Sequence, residues 1–201
     1  GSIAVNSDGQ NDMTSRTAMM ISERMNIGLR LSACERADYS PELGNWPDHR
    51  VDRRDGADTF VPHMYAWCHG APGIGLARAG VLDLHDDPAL RADLDLALAA
   101  TVRGGLSPRV HSLCHGFFGN ADLFLLAEER GARLASQARS ALARAVDSLD
   151  RDGPVCGTPG EIETPSLMTG LAGIGYGLLR LASPGTVPSV LLLEPPKRVT
   201  A

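Results

Sequence analysis

Three glycine turns recur along this chain, and they limit its architecture more than any other feature. Gly70-Ala71-Pro72-Gly73-Ile74-Gly75, Gly116-Phe117-Phe118-Gly119 and Gly170-Leu171-Ala172-Gly173-Ile174-Gly175 share a Gly-x-x-Gly core. Their first glycines are 46 and 54 residues apart. That interval suits a pair of helices with its loops, the unit of helical repeat folds. Small residues at each turn let one helix start close against its neighbour. Gly-x-x-Gly alone is also ordinary helix-start chemistry and overlaps a dinucleotide fingerprint. No strand pattern precedes any copy and no βαβ unit surrounds it, which argues against the nucleotide reading.

The stretches between the turns read as helices. Residues 14–37 place Ala18, Ile21, Met25, Leu29 and Leu31 near helical spacing. Residues 38–58 are broken by Pro41, Gly44, Pro47 and Gly56 and read as a long charged loop. A short helix is expected over 72–83. Asp87-Pro88 supplies an N-cap and a proline at the first helical position for a helix over 88–103, which Gly104-Gly105 ends. Helices over 119–129 and 132–149 flank Gly131, the second with an apolar stripe of Leu134, Ala138, Ala141, Leu142 and Ala145. A loop over 154–165, a helix over 166–182 and a tail that packs or frays complete an all-α reading. Residues 1–13 are expected to be disordered, 14–195 to form the domain and 196–201 to be a tail.

Composition narrows the function. The chain of 201 residues is long enough for one real core, and 43% apolar content rules out wholesale disorder. A net charge of −5 gives no basic footprint for nucleic acid. No apolar run approaches the roughly 18 residues a membrane helix needs. Residues 1–6 lack the basic start and apolar core of a signal peptide, so the chain reads as cytoplasmic. Four cysteines are too few for a disulfide framework.

The chemistry sits two residues ahead of the glycines. The first turn is preceded by Cys68-His69 and the second by Cys114-His115, whereas the third carries Met168-Thr169. Thiolate and imidazole are the ligands zinc prefers, and catalytic zinc takes three protein ligands with one open position. Four candidates are present, and a three-ligand set is easier to build than one using both members of two adjacent pairs. The alternative is that Cys68 and Cys114 are small buried hydrophobes at helix starts. Cys34 and Cys156 lack a neighbouring histidine and read as structural. His63, His85 and His111 read as satisfied or solvated, with His63 and His111 near enough to line a cleft. His49 and the acidic runs 52–58 and 83–87 read as solvated faces and caps.

Together, Gly44-Asn45-Trp46-Pro47-Asp48, Ala66-Trp67-Cys68-His69-Gly70-Ala71-Pro72-Gly73-Ile74-Gly75, His111-Ser112-Leu113-Cys114-His115-Gly116 and the segment from Glu163 to Gly177 resemble the lanthionine synthetase C-like family. They look most like the C-terminal cyclase region of class II lanthipeptide synthetases, the LanM type. The resemblance implies an α/α toroid of helical hairpins, here a partial ring, with a central Zn²⁺ on Cys68, Cys114 and His115. His69 is not among the ligands it implies. The implied reaction adds a peptide cysteine thiolate to dehydroalanine or dehydrobutyrine, giving a lanthionine or methyllanthionine thioether ring. The implied partner is a dehydrated precursor peptide. The family's acid/base residues match nothing before residue 40, so they are expected from an N-terminal half in the same or a separate chain, or the partial ring self-associates. Phe117-Phe118 departs from the more polar pair expected there and is expected to reshape the pocket near the metal. The alternative function is a non-catalytic zinc- and peptide-binding module, or a remnant of such an enzyme.

Overall fold

The computed structural model describes residues 28–48, 63–82, 84–130 and 136–196. The chain divides into two units, Gly1–Ala37 and Asp38–Ala201. In the first, residues 28–37 are helical, and the rest of the helix expected from residue 14 lies outside the described residues. The second unit holds α1 (Ala71–Leu82), α2 (Pro88–Gly104), α3 (Phe117–Glu129), α4 (Ser136–Asp152) and α5 (Leu171–Ala182), with 3-10 turns at Pro159–Glu161 and Val190–Leu192. No strand forms among the described residues; isolated bridges join Ser40 to Asn45 and Ala66 to His69.

The middle of this unit is α3. Every residue from Phe117 to Ala127 is buried, as expected of a helix that is apolar nearly all round. It packs against α1 on one side and α5 on another, with α4 also in contact, while α2 lies against α1. The opposite pattern appears in α4, which buries only Ala138, Ala141, Ala145 and Ser148. Asp87 caps α2 by accepting from the Ala89 and Leu90 N–H groups at 2.7 and 3.2 Å, a cap worth about 1 kcal/mol.

Several polar side chains inside the core bond across elements, although Asn120 Oδ1 and one terminal nitrogen of Arg180 meet no partner among the described residues. Arg78 on α1 donates to Asp93 on α2 at 3.0 Å, with both side chains buried. Asn120 on α3 donates to the carbonyls of Tyr65 and Gly105 at 2.7 and 2.8 Å. Arg180 on α5 reaches Asp122 and Glu129 on α3, each at 2.9 Å. The same guanidinium donates to the carbonyls of Pro184 and Val187, and Ser189 donates to Asp122. The segment after α5 is therefore packed as far as Leu191, and beyond residue 196 it lies outside the described residues.

Helix starts differ from expectation for one reason. The first N–H groups of α3 and α5 belong to Phe117 and Leu171, and they donate to the carbonyls of Val110 and Thr164 at 2.7 and 2.8 Å. Each bond spans the glycine turn, so α3 begins at Phe117 rather than 119. Likewise α5 begins at Leu171 rather than 166, with Leu167–Thr169 forming the turn before it. α4 is described from Ser136 and runs to Asp152 rather than 149; its expected start at 132 lies outside the described residues.

Candidate metal centre

The three glycine turns share one close approach of backbone to backbone. A Cβ added at Gly73, Gly119 or Gly173 would overlap the carbonyl oxygen of Trp67, Leu113 or Leu167, in each case six residues earlier. The close approach of backbone to backbone is what requires glycine there. The turns then stack on one another through the residues two positions before their first glycines. The Cys68 N–H donates to the Cys114 carbonyl at 3.4 Å, and the Cys114 N–H donates to the Met168 carbonyl at 2.8 Å.

This stacking sets Cys68 beside Cys114. Together with His115 they form a group whose ligand atoms all lie within 4.8 Å of one another. Cys68 is exposed, whereas Cys114 and His115 are half-buried. The cysteines are thus not the buried hydrophobes of the alternative reading. Burial pushes the Cys114 thiol up to about 11, with the neighbouring Cys68 thiol adding to the effect. A cation among these ligands would reverse that balance, since metal coordination deprotonates a thiol.

His115 is oriented by the loop that follows α4. Its Nε2 lies 2.7 Å from the Gly157 carbonyl. A carbonyl only accepts, so this bond requires the proton on Nε2 and leaves the lone pair on Nδ1. Gly157 is held in turn by its N–H, which donates to the Thr169 carbonyl at 2.7 Å. The loop is also tied to His111, whose N–H donates to the Val155 carbonyl at 2.9 Å while its Nδ1 accepts from the Val155 N–H at 3.0 Å. His111 is fully buried, not solvated. Burial lowers its pKa, against a smaller pull from the Asp152 charge.

The remaining sequence candidates fall elsewhere. His69 turns to Asp48, with Nδ1 at 3.7 Å from a carboxylate that is 5% exposed. His63 stacks edge-on against Tyr65, and His85 is half-buried near the start of α2. Cys34 is exposed in the first unit, and Cys156 is buried. Phe117 and Phe118 are buried in the core in T-shaped contact. A Cβ on Gly177 of α5 would strike Phe118, so this pair packs the helices instead of reshaping a pocket near the metal. His49 and the run 52–58 lie outside the described residues.

Sequence reasoning quoted Asn45 only as part of a motif and gave neither it nor Gly157 a role at the site. The first turn lacks the bond that spans the other two. Asn45 takes its place, accepting from the Ala71 N–H at 2.9 Å and donating to the Met64 carbonyl at 3.1 Å. Gly70 sits at φ +88 in this turn, a left-handed conformation that favours glycine.

The family described as lanthionine synthetase C-like protein matches residues 15–192. The chain belongs to this family. Membership of the lanthionine synthetase C-like family points to a lanthionine synthetase-type cyclase acting on a peptide, and its helical toroid agrees with the all-α structure. No helix among the described residues is long and apolar enough to cross a membrane.

Proposed function

We propose that this chain is the zinc-bearing part of a class II lanthipeptide cyclase, with Cys68, Cys114 and His115 as the metal ligands. The convergence of two thiols and one oriented imidazole on a half-open site is the observation that carries this reading. The donor set is sulfur- and nitrogen-rich, which suits Zn²⁺ and disfavours Mg²⁺ or Ca²⁺. Cys68, Cys114 and His115 would hold the metal and leave it open to a substrate thiol, and Cys68 is exposed to solvent. The domain spans residues 14–195, and the reducing cytoplasm keeps its cysteines as thiols.

When bound, zinc favours the thiolate form of the substrate cysteine. The work of the chain is positioning. Stacked turns hold Cys68 and Cys114 at a fixed spacing, and Gly157 fixes the tautomer and ring plane of His115. The substrate sulfur then adds to the β-carbon of dehydroalanine or dehydrobutyrine. The C=C electron pair moves toward the neighbouring carbonyl, and one proton delivered to the α-carbon completes the thioether. In this proposal the proton donor comes from the family's N-terminal half, carried on the same or another chain.

The test uses thiol counting, because the addition leaves peptide mass unchanged. Zinc-loaded protein, alone or supplied with the N-terminal half, should consume maleimide-reactive thiols of a dehydrated precursor peptide. Cys114→Ala should leave them reactive. One metal per chain with no thiol loss under either condition would replace this reading with the zinc- and peptide-binding module.

A further inference from the structure

A cavity of about 650 Å³ opens beside His115. Its floor is Val110, His115 and the buried Cys156, and its outer wall is the loop Gly157–Glu161. The volume lies within the roughly 300–1,000 Å³ usual for ligand pockets. The wall does not float. It is pinned to the metal-side turns through His115, His111 and Thr169, as described above.

Glu161 ends this wall in an unusual state. Its φ is +57, directly after Gly160 at +69. The left-handed region is unfavourable for a non-glycine residue, and such residues persist where the surroundings hold them. Here the Glu161 N–H donates to the Thr158 carbonyl at 2.9 Å, and the Thr158 hydroxyl donates to the Ile162 carbonyl. The turn is clamped on both sides, and it presents an exposed carboxylate that meets no cation among the described residues. Of the described residues lining the cavity, Glu161 brings the one carboxylate. Ile162, next to it, is 69% exposed.

We infer that this cavity seats the stretch of substrate peptide next to the reacting cysteine, and that Glu161 selects a lysine or arginine side chain there. The inference rests on the cyclase reading and deepens it. His115 belongs both to the metal group and to the cavity floor, so the residues beside a cysteine held at the metal have this cavity within reach. The lining combines apolar Val110 and Pro159 with the Glu161 carboxylate. A cationic side chain buries its aliphatic stem against the first and meets the carboxylate with its head.

The experiment is a set of anisotropy titrations of the zinc-loaded full chain with short labelled peptides. Each peptide holds one cysteine flanked on one side by Lys, Ala or Glu, with both sides tried in turn. For one flank, the Lys peptide should bind about three- to fivefold tighter than the Ala peptide, the range of a partly solvated ion pair. Glu161→Gln should erase this difference, and Glu161→Lys should reverse it in favour of the Glu peptide. Glu161→Gly relieves the left-handed backbone, so it should fold at least as well as the parent and still lose the preference. Equal affinities in the parent, no binding of any peptide, or a Lys preference that survives all three substitutions would overturn the inference. Repeating the series with serine in place of the peptide cysteine separates the two readings. A charge preference retained alongside failed zinc stoichiometry would sink the metal assignment and leave the cavity standing.

Discussion

The second and third glycine turns have nearly the same backbone and different chemistry. Gly116 and Gly170 share an extended conformation, with φ −127 and −123. Their helices start with the same turn-spanning bond, and both need glycine three residues on. Yet one turn presents Cys114 and His115 where the other presents Met168 and Thr169. The scaffold is a matter of glycine and backbone contact, and the two residues ahead of it are free to vary. The first turn shows the limit of that freedom. It keeps a cysteine but replaces the spanning bond by the Asn45 amide.

The largest effect should come from the residues that differ. Cys114→Ala should remove stoichiometric zinc altogether, whereas Met168→Ala should retain one metal per chain by elemental analysis. Metal lost equally in both would mean that the two turns are not chemically distinct. Next come the residues that are alike. Gly119→Ala and Gly173→Ala each drive a methyl group into a carbonyl and should each cost about 3 kcal/mol or more in urea unfolding. A much smaller cost for one of them would break the equivalence. Asn45→Ala strands the Ala71 N–H and the Met64 carbonyl and should cost about 1–3 kcal/mol, measured the same way.

A subtler contrast concerns pH. The second turn is preceded by buried His111 where the first and third have Tyr65 and Pro165. Burial disfavours the charged imidazole in the folded chain, so the unfolded chain binds more protons as pH falls through the ordinary value of 6.5. Stability should therefore drop as pH falls through that value and level off below the lowered folded pKa. Urea midpoints at successive pH values check this, and His111→Asn should flatten the profile relative to the parent. The smallest effect lies two residues beyond the second glycine. A Cβ on Gly175 meets nothing within 4 Å, and Ala121 already fills the matching place in the second repeat. Gly175→Ala should stabilise by about 0.5–1 kcal/mol. Gly75→Ala should not, because its Cβ comes within 2.9 Å of Ala97 and Leu123.

What the sequence revealed was local. The Asp87-Pro88 start and glycine stop of α2 are short-range signals, and the structure reproduces them within a residue. The Cys-His pairs stood out because a thiol next to an imidazole is informative wherever the chain goes. The residues that orient the site were hidden for the opposite reason. Asn45 acts on a backbone group 26 residues away, and Gly157 acts on His115 across 42. Neither has a composition or a period that announces a tertiary contact. Phe117-Phe118 misled because adjacency to His115 in sequence does not fix direction on a helix, and both rings turn inward.

The guanidinium of Arg180 joins α5, α3 and the segment beyond α5 at one point. That arrangement sets where the chain can be cut. A boundary placed at Ser183 would delete the carbonyls of Pro184 and Val187 and the Ser189 hydroxyl together. It would leave Arg180 and Asp122 deep in the protein with only part of their solvation replaced. The stretch from residue 184 to Leu191 thus belongs to the folding unit, and a shortened chain ending before it should expose its core to proteases sooner than one that keeps it.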